Sequence, residues 1–374
     1  MPPVSNVIAA TLKFLLNAAS IPEKPRKLPT AGFPIIQKNQ LIEEEELPDY
    51  KSDWFFPVKL GEIFQGCYQV IAKLGFVYVH VLLVHREIPF YHHIRPQLEN
   101  NSPKERINIQ SLLDSFEITG PRGMHIVLVF EATQMSLRDM KALLKTLDFL
   151  HTNGKTVHTD MHPGNMLLGA YDNAIFQKLK EKEFASPVPR KQDSSGRTIY
   201  LSRLMRPTEG PMLLSDFGEA RIGQGPHGGD IMPLEYRAPE TLLYVGWSFP
   251  VDVWSVGLTA WDLLEPKKLF TARDDDGDCY DAAHIAQLIA ALGPPPAEFL
   301  AKNPKRKADF WSEKGEWLGL APIPHGRTLE ALETRLEDKS GFLRFIRRTL
   351  TWLPENRPTA SELLEDPWLT DEKV

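Results

Sequence analysis

The stretch His158-Thr159-Asp160-Met161-His162-Pro163-Gly164-Asn165, followed further along by Asp216-Phe217-Gly218, constrains this chain more than any other feature. Asp160 and Asn165 stand five residues apart, and the two segments together supply two carboxylates and one carboxamide. These are groups that can accept a proton and offer hard oxygen ligands to a divalent cation. An isolated Asp-Phe-Gly would mean no more than a turn capped by its Asp. The two segments in this order mean considerably more.

Composition narrows the remaining possibilities. A chain of 374 residues with 42% hydrophobic and 25% charged side chains is globular, not disordered, and is long enough for two lobes around large cores. The net charge of -6 and the pI near 6.0 give no general attraction to nucleic acid or to an anionic membrane. Cys67 and Cys279 lie far apart, which argues against a disulfide framework or a zinc cluster and for a reducing compartment. No uncharged run reaches the length of a membrane span. Met1 to Ser20 carries a single charged side chain, Lys13. It reads either as a weak organelle-targeting helix, which would be mitochondrial, or as a poorly ordered terminus or surface helix.

His-x-Asp with Asn five residues after the Asp, and Asp-Phe-Gly downstream, resembles the catalytic loop and metal-binding turn of the eukaryotic protein kinases. The resemblance implies an α+β, bilobal fold: a small β-rich lobe, incomplete here, and a larger, mainly helical lobe. It implies ATP and Mg2+ as cofactors, Asp160 as acceptor of the substrate hydroxyl's proton, and Asn165 and Asp216 as metal ligands. His162 stands where serine/threonine kinases usually carry a lysine that contacts the γ-phosphate. An imidazole there can replace that contact only in part.

Along the chain, Pro22, Pro25, Pro29 and Pro34 and the acidic run Glu43 to Glu46 suggest an extended, solvated lead-in over residues 1–50. Folding proper is expected from about Trp54, with a small lobe over 51–132 and a large lobe over 133–374. Val58 to Gly61 and Tyr68 to Gly75 suggest strands, as do Leu112 to Ile118 and His125 to Glu131, joined by Gly120-Pro121-Arg122-Gly123. The family places the nucleotide against Leu74 and Gly75 and against the backbone of Glu131, Ala132 and Thr133, with Asp216 near its phosphates.

The small lobe departs from the family pattern. After Gly75 the sequence continues Phe76-Val77-Tyr78-Val79-His80, so only the first glycine of the phosphate-covering loop is present, and the phosphate lysine is absent. Arg86 to Ile94 resembles the αC region of the kinases of Ser/Arg-rich splicing proteins, particularly their fungal relatives, with Glu87 as the helix glutamate. Only twelve positions separate Gly75 from Glu87, too few for two strands of about 5 to 6 residues with their turns. A segment has been lost, either by the protein itself or through an exon omitted from the coding sequence. The 27 positions from Glu131 to His158 are likewise short for two helices, and Ser136 to Asp139 followed by Ala142 to His151 predicts one.

The large lobe keeps its landmarks. Met212 to Ser215 predicts the strand that delivers Asp216, and Val251 to Gly257 begins a central buried helix whose Asp252 would hold the catalytic-loop backbone. Arg357 would pair with Glu240, and Ser361 to Leu369 would form a closing helix and anchor. Between Gly218 and Ala238 there is no serine or threonine, only Tyr236, and Thr159 replaces the arginine that in many kinases binds a phosphorylated activation loop. Such a segment would be held in place without phosphorylation. An insertion at about 172–207 is basic, through Arg190, Lys191, Arg197, Arg203 and Arg206, and reads as a solvated loop or a docking surface for acidic partners. Asp274 to Asp278 has its glycine in the wrong place for an EF-hand.

Two functions follow from the resemblance. One is a serine/threonine kinase acting on a protein substrate, with Ser/Arg-rich proteins as the class the resemblance implies, as a monomer in the cytoplasm or nucleus, without direct nucleic-acid or membrane contact. The other is a pseudokinase scaffold that has lost the phosphate lysine and most of the glycine-rich loop.

Overall fold

The computed structural model describes residues 11–18, 27–46, 50–52, 55–77, 86–99, 108–120, 123–131, 133, 139–171, 174–194, 196–204, 209–274 and 276–370. Trp54, the apolar run 78–85, Ala132 and the helix start Ser136 to Arg138 lie outside the described residues. The strands are β1 (Thr11–Ala18), β2 (Ile63–Phe64), β3 (Tyr68–Val77), β4 (Leu112–Gly120), β5 (Gly123–Phe130), β6 (Thr156–Val157), β7 (Met166–Leu168), β8 (Arg190–Gln192), β9 (Thr198–Tyr200), β10 (Met212–Leu214) and β11 (Arg221–Ile222). The helices are α1 (Glu87–Glu99), α2 (Met140–Thr152), α3 (Ala174–Ala185), α4 (Pro239–Leu242), α5 (Pro250–Leu264), α6 (Asp281–Leu292), α7 (Ala297–Ala301), α8 (Pro304–Lys307), α9 (Leu329–Leu332), α10 (Lys339–Thr349), α11 (Ala360–Leu364) and α12 (Pro367–Thr370). Contacts divide the chain into a strand-rich unit (Met1–His85, Gln110–Met135, Leu168–Pro211) and a mostly helical one (Arg86–Ile109, Ser136–Leu167, Met212–Val374).

The strand-rich unit is built on β3, whose Val70, Ile71 and Ala72 are fully buried. β1 and β2 flank it in an antiparallel sheet of order β1-β3-β2. Thr11–Ala18 is therefore a strand, contrary to the helix or unordered terminus expected there. An unpaired edge of β3 would expose a row of backbone donors and acceptors, and β1 satisfies them along Tyr68–Val77. The strand expected at Val58 to Gly61 is also absent. Leu60-Gly61 is a turn, with Gly61 at φ +89° and its amide bonded to Val70 O at 2.7 Å, and the paired residues are Ile63 and Phe64 instead. β4 and β5 form the expected hairpin, closed at Gly120 and Gly123.

The acidic run and the basic insertion are each other's partners, which overturns the solvated readings of both. Glu43–Glu46 forms a 3₁₀ turn. Glu44, 1% exposed, bonds Lys73 Nζ and, at 2.5 Å, Arg197 Nη2. Glu45 pairs with Lys191 at 2.6 Å, and both Glu43 oxygens accept from Ser202, through its amide and its hydroxyl, each at 2.7 Å. Within the insertion, Arg203 pairs with the buried Glu183 at 2.6 Å, and β8 and β9 form a hairpin. α3 packs Phe176 and Leu179 against Ile71 and Ala72 of β3. Charges buried this deeply persist only when paired, and this pairing is what takes the insertion out of solvent.

The helical unit centres on α5, in which every residue from Val251 to Trp261 is buried. Pro250 opens it, where a missing amide hydrogen costs nothing. α2 starts as predicted: Asp139 Oδ1 accepts the Ala142 amide at 2.9 Å. It is the one helix between Glu131 and His158 among the described residues, in keeping with the short spacing there. α10 packs against α5, and Trp368 of α12 closes the end of the unit against Phe342 and Phe345, at ring separations of 5.2 and 4.8 Å.

Candidate active site

The catalytic-loop residues are held from beneath by one buried carboxylate. Asp252, on α5 and 0% exposed, accepts the His158 amide at 2.8 Å and the Thr159 amide at 2.9 Å. His151 Nε2 lies 2.9 Å from the same side chain. Two adjacent amides can point at one carboxylate because Thr159 takes a left-handed backbone conformation, φ 71°. The Thr159 hydroxyl donates to Glu219 O at 2.8 Å, and β11 pairs with β6 just beyond, so the start of the activation segment is tied to the loop.

Asp160, His162, Asn165 and Asp216 come together in this unit. Asn165 Nδ2 donates to Asp160 O at 2.8 Å, which turns the carboxamide oxygen away as the acceptor end. Both the Ser215 amide and its hydroxyl bond Asn165 O at 3.0 Å, so the residue before Asp216 is locked to the loop. Asp216 itself has φ 65°, a conformation that Asp tolerates better than most residues. Phe217 behind it is fully buried and stacks on Phe90 of α1, with centroids 3.9 Å apart and planes 7° from parallel.

His162 Nδ1 accepts the Gly164 amide at 3.1 Å, so in the neutral ring the hydrogen sits on Nε2, 4.0 Å from Asp160 Oδ2. Gly164 is needed for this: a Cβ there would lie 2.7 Å from His162 Cε1. Burial raises the Asp160 carboxyl above the usual carboxylate range. His162 opposes that shift and Asp216 adds to it.

Asn165 and Asp216 offer only oxygen donors, the chemistry that Mg2+ selects, and Mg2+ takes few protein ligands because it keeps water and phosphate oxygens. Among the described residues no cluster of three or more His, Cys, Asp or Glu side chains could form a fuller cage.

The remaining predicted residues lie in the strand-rich unit. Leu74 packs against the cluster that α3 makes with β3, and Gly75 pairs with Lys13 of β1. The Glu131 amide donates to Ser111 O at 2.9 Å, and its carbonyl accepts from Gln110 Nε2 at 3.1 Å, which leaves that carbonyl one lone pair for a ligand. Thr133 is half-buried.

Sequence reasoning overlooked His151 and Glu219. Glu219 directly follows Asp-Phe-Gly and pairs with Arg86 at 3.0 Å; its position was the only available signal. The Glu240–Arg357 pair is present as expected, bidentate at 2.6 and 2.7 Å and wholly buried. Tyr236, the one hydroxyl-bearing candidate in the activation segment, is 4% exposed and donates to Asp262 Oδ2 at 2.7 Å.

The protein kinase domain family matches residues 128–369, and the chain belongs to that family. Within it the chain sits close to the SRPK-like kinases. A serine/threonine protein kinase of Aspergillus fumigatus is 37% identical over 394 residues, covering 93% of this chain and 96% of the relative. A serine/threonine-protein kinase SRPK of Physarum polycephalum is 27% identical, covering 88% and 92% respectively. SRSF protein kinase 3 of mouse is 21% identical, covering 87% and 90%. Nothing in these relatives favours the pseudokinase reading. No helix among the described residues is long and apolar enough to cross a membrane, and nothing supports a mitochondrial address.

Proposed function

We propose that this chain transfers the γ-phosphoryl group of ATP to serine or threonine hydroxyls of Ser/Arg-rich proteins, with Asp160 as the proton acceptor. The observation that carries the reading is the Asp160–Asn165–Asp216 constellation fixed by Asp252. Asn165 and Asp216 would hold magnesium, which would neutralise charge on the phosphates. Asp160 aligns the incoming hydroxyl and takes its proton; a carboxyl raised by burial is a better match to that task than a fully solvated one. His162 presents Nε2–H beside it as a donor to developing charge. Leu74, Gly75, Glu131, Ala132 and Thr133 form the proposed nucleotide side, and the small and large lobes are proposed to divide near residue 132. Names of the SRPK type among the relatives support the Ser/Arg-rich substrate class.

The test pairs magnesium-dependent ATP binding, followed by thermal shift, with phosphorylation of a Ser/Arg-rich peptide. Asp160→Ala is expected to keep nucleotide binding and to lower transfer by about 10² to 10³ or more. No transfer by the wild-type chain would sink the reading.

A further inference from the structure

Ser202 is the one serine of this chain that stands directly beside an arginine, Arg203. It lies in the basic insertion, just past β9, and both of its donors face Glu43: the amide donates to one carboxylate oxygen and the hydroxyl to the other, each at 2.7 Å. The next amide, that of Arg203, donates to Lys73 O on β3 at 2.8 Å. The serine therefore clasps the acidic run to the insertion. Glu43 itself is held at φ 57°, in the left-handed region that residues other than glycine seldom adopt. Such strain persists only where neighbouring bonds impose it, and it collects at segments that switch.

The charges around this clasp are balanced. Glu43, Glu44 and Glu45 meet Lys73, Arg197 and Lys191, and the side chain of Arg203 is already engaged by the buried Glu183. A phosphate on the Ser202 hydroxyl would set a further charge of about −1.5 to −2 against Glu43 and remove the hydrogen that Glu43 accepts. Clasp and phosphate therefore compete. We propose that Ser202 is a phosphoryl-acceptor site for the Ser/Arg-directed transfer of this protein itself, and that its phosphate holds the acidic run off the insertion. This rests on the kinase reading above. In the step, a bond forms between Ser202 Oγ and the γ-phosphorus of ATP as the bond from that phosphorus to the β,γ-bridging oxygen breaks; the hydroxyl proton passes to Asp160 of the acting site, and ADP leaves. A half-buried hydroxyl bonded to Glu43 is not an available nucleophile, so transfer takes place while the clasp is open. The phosphate then traps that form, because only the open form accommodates it.

Two arms test this on the full chain. In the first, the protein is incubated with Mg2+ and ATP, and Ser202 is followed by mass spectrometry beside a Ser/Arg-rich peptide. Phosphate should appear at Ser202, and Glu43→Gln, which weakens the clasp, should raise that rate severalfold without changing the rate on the peptide. Phosphorylation of the peptide while Ser202 stays unmodified, in wild type and in Glu43→Gln alike, overturns the inference alone. Failure on both substrates overturns the kinase reading on which it rests. In the second arm phosphoserine is installed at position 202 during translation, so that the clasp is tested without any activity of the chain. Hydrogen exchange of the amides in 43–46 and 198–203 should quicken by about tenfold or more. Glu43→Gln should remove most of that effect, because the repelled carboxylate is gone, a rescue that a misfolded variant cannot produce. Exchange as slow as in the unmodified protein overturns the inference, as does an effect that Glu43→Gln leaves intact.

Discussion

Each unit buries an ion pair, and the two pairs work differently. In the helical unit, Glu240 and Arg357 meet as two planar groups in a bidentate fork, with Arg357 also donating to Pro250 O and Thr351 O. In the strand-rich unit, one carboxylate, Glu44, answers two cations, Lys73 and Arg197, from segments far away in the sequence. The first pair lies inside the span of 128–369 that the family matches; Glu44 and Lys73 lie before that span begins. The fork satisfies one charge with one partner, whereas the shared carboxylate makes three segments of the chain depend on a single side chain. The Aspergillus alignment runs to 394 positions against a chain of 374, so that relative carries residues with no counterpart here. Within the strand-rich unit β1 closes the edge of β3, and the insertion supplies cations for the acidic run.

The largest expected effect is that of Glu44→Ala, which takes from buried Arg197 the carboxylate it pairs with at 2.5 Å and leaves Lys73 with Glu43 at 3.4 Å. Unfolding of the strand-rich unit should become easier by about 5 kcal/mol, at the upper end for a broken buried pair. In denaturant the transition of the helical unit should stay where it was, and joint movement of both transitions would break the contrast between the units. Arg357→Ala should cost about 3 to 4 kcal/mol in the helical unit. Combined with Glu240→Ala it should cost much less than the two single losses added, because neither charge is then left alone. Phe217→Leu gives up the stack on Phe90 and should cost about 1 kcal/mol beyond its lost area, read as a shift in the denaturation midpoint.

Glu265→Gln is the smallest of these changes and has the opposite sign. A carboxyl whose native pKa is raised destabilises the fold at pH values above that pKa, and the penalty disappears as pH falls toward the unfolded value of about 4.3. The glutamine variant should therefore be the more stable protein at neutral pH, with its advantage lost in acid. A thermal-unfolding series across pH checks this, and a constant difference would count against a strained carboxylate.

The helical unit was legible because its chemistry fixes residue type and spacing together. Asp160 and Asn165 must be five apart, Asp252 must sit on a buried helix, and Glu240 needs its arginine. Strands at Tyr68 and Leu112 were legible from alternation and turn residues. The acidic run was not, because four adjacent glutamates look solvated until a partner appears, and Arg197 lies 153 residues from Glu44. β1 was only half legible: apolar Leu12, Phe14, Leu16 and Ala18 alternate with polar Thr11, Lys13 and Asn17, broken by Leu15, but nothing in that pattern names β3 as the strand it pairs with.

Thr159 carries a consequence for control. Its hydroxyl holds the Glu219 carbonyl through a neutral, short-range bond that needs no added charge, and the one tyrosine in the activation segment is sealed inside the protein. A catalyst fastened in this way has no covalent switch within that segment to be thrown by an upstream enzyme or reset by a phosphatase. Its output would be metered by how much of it the cell makes, where it is kept and how much substrate reaches it.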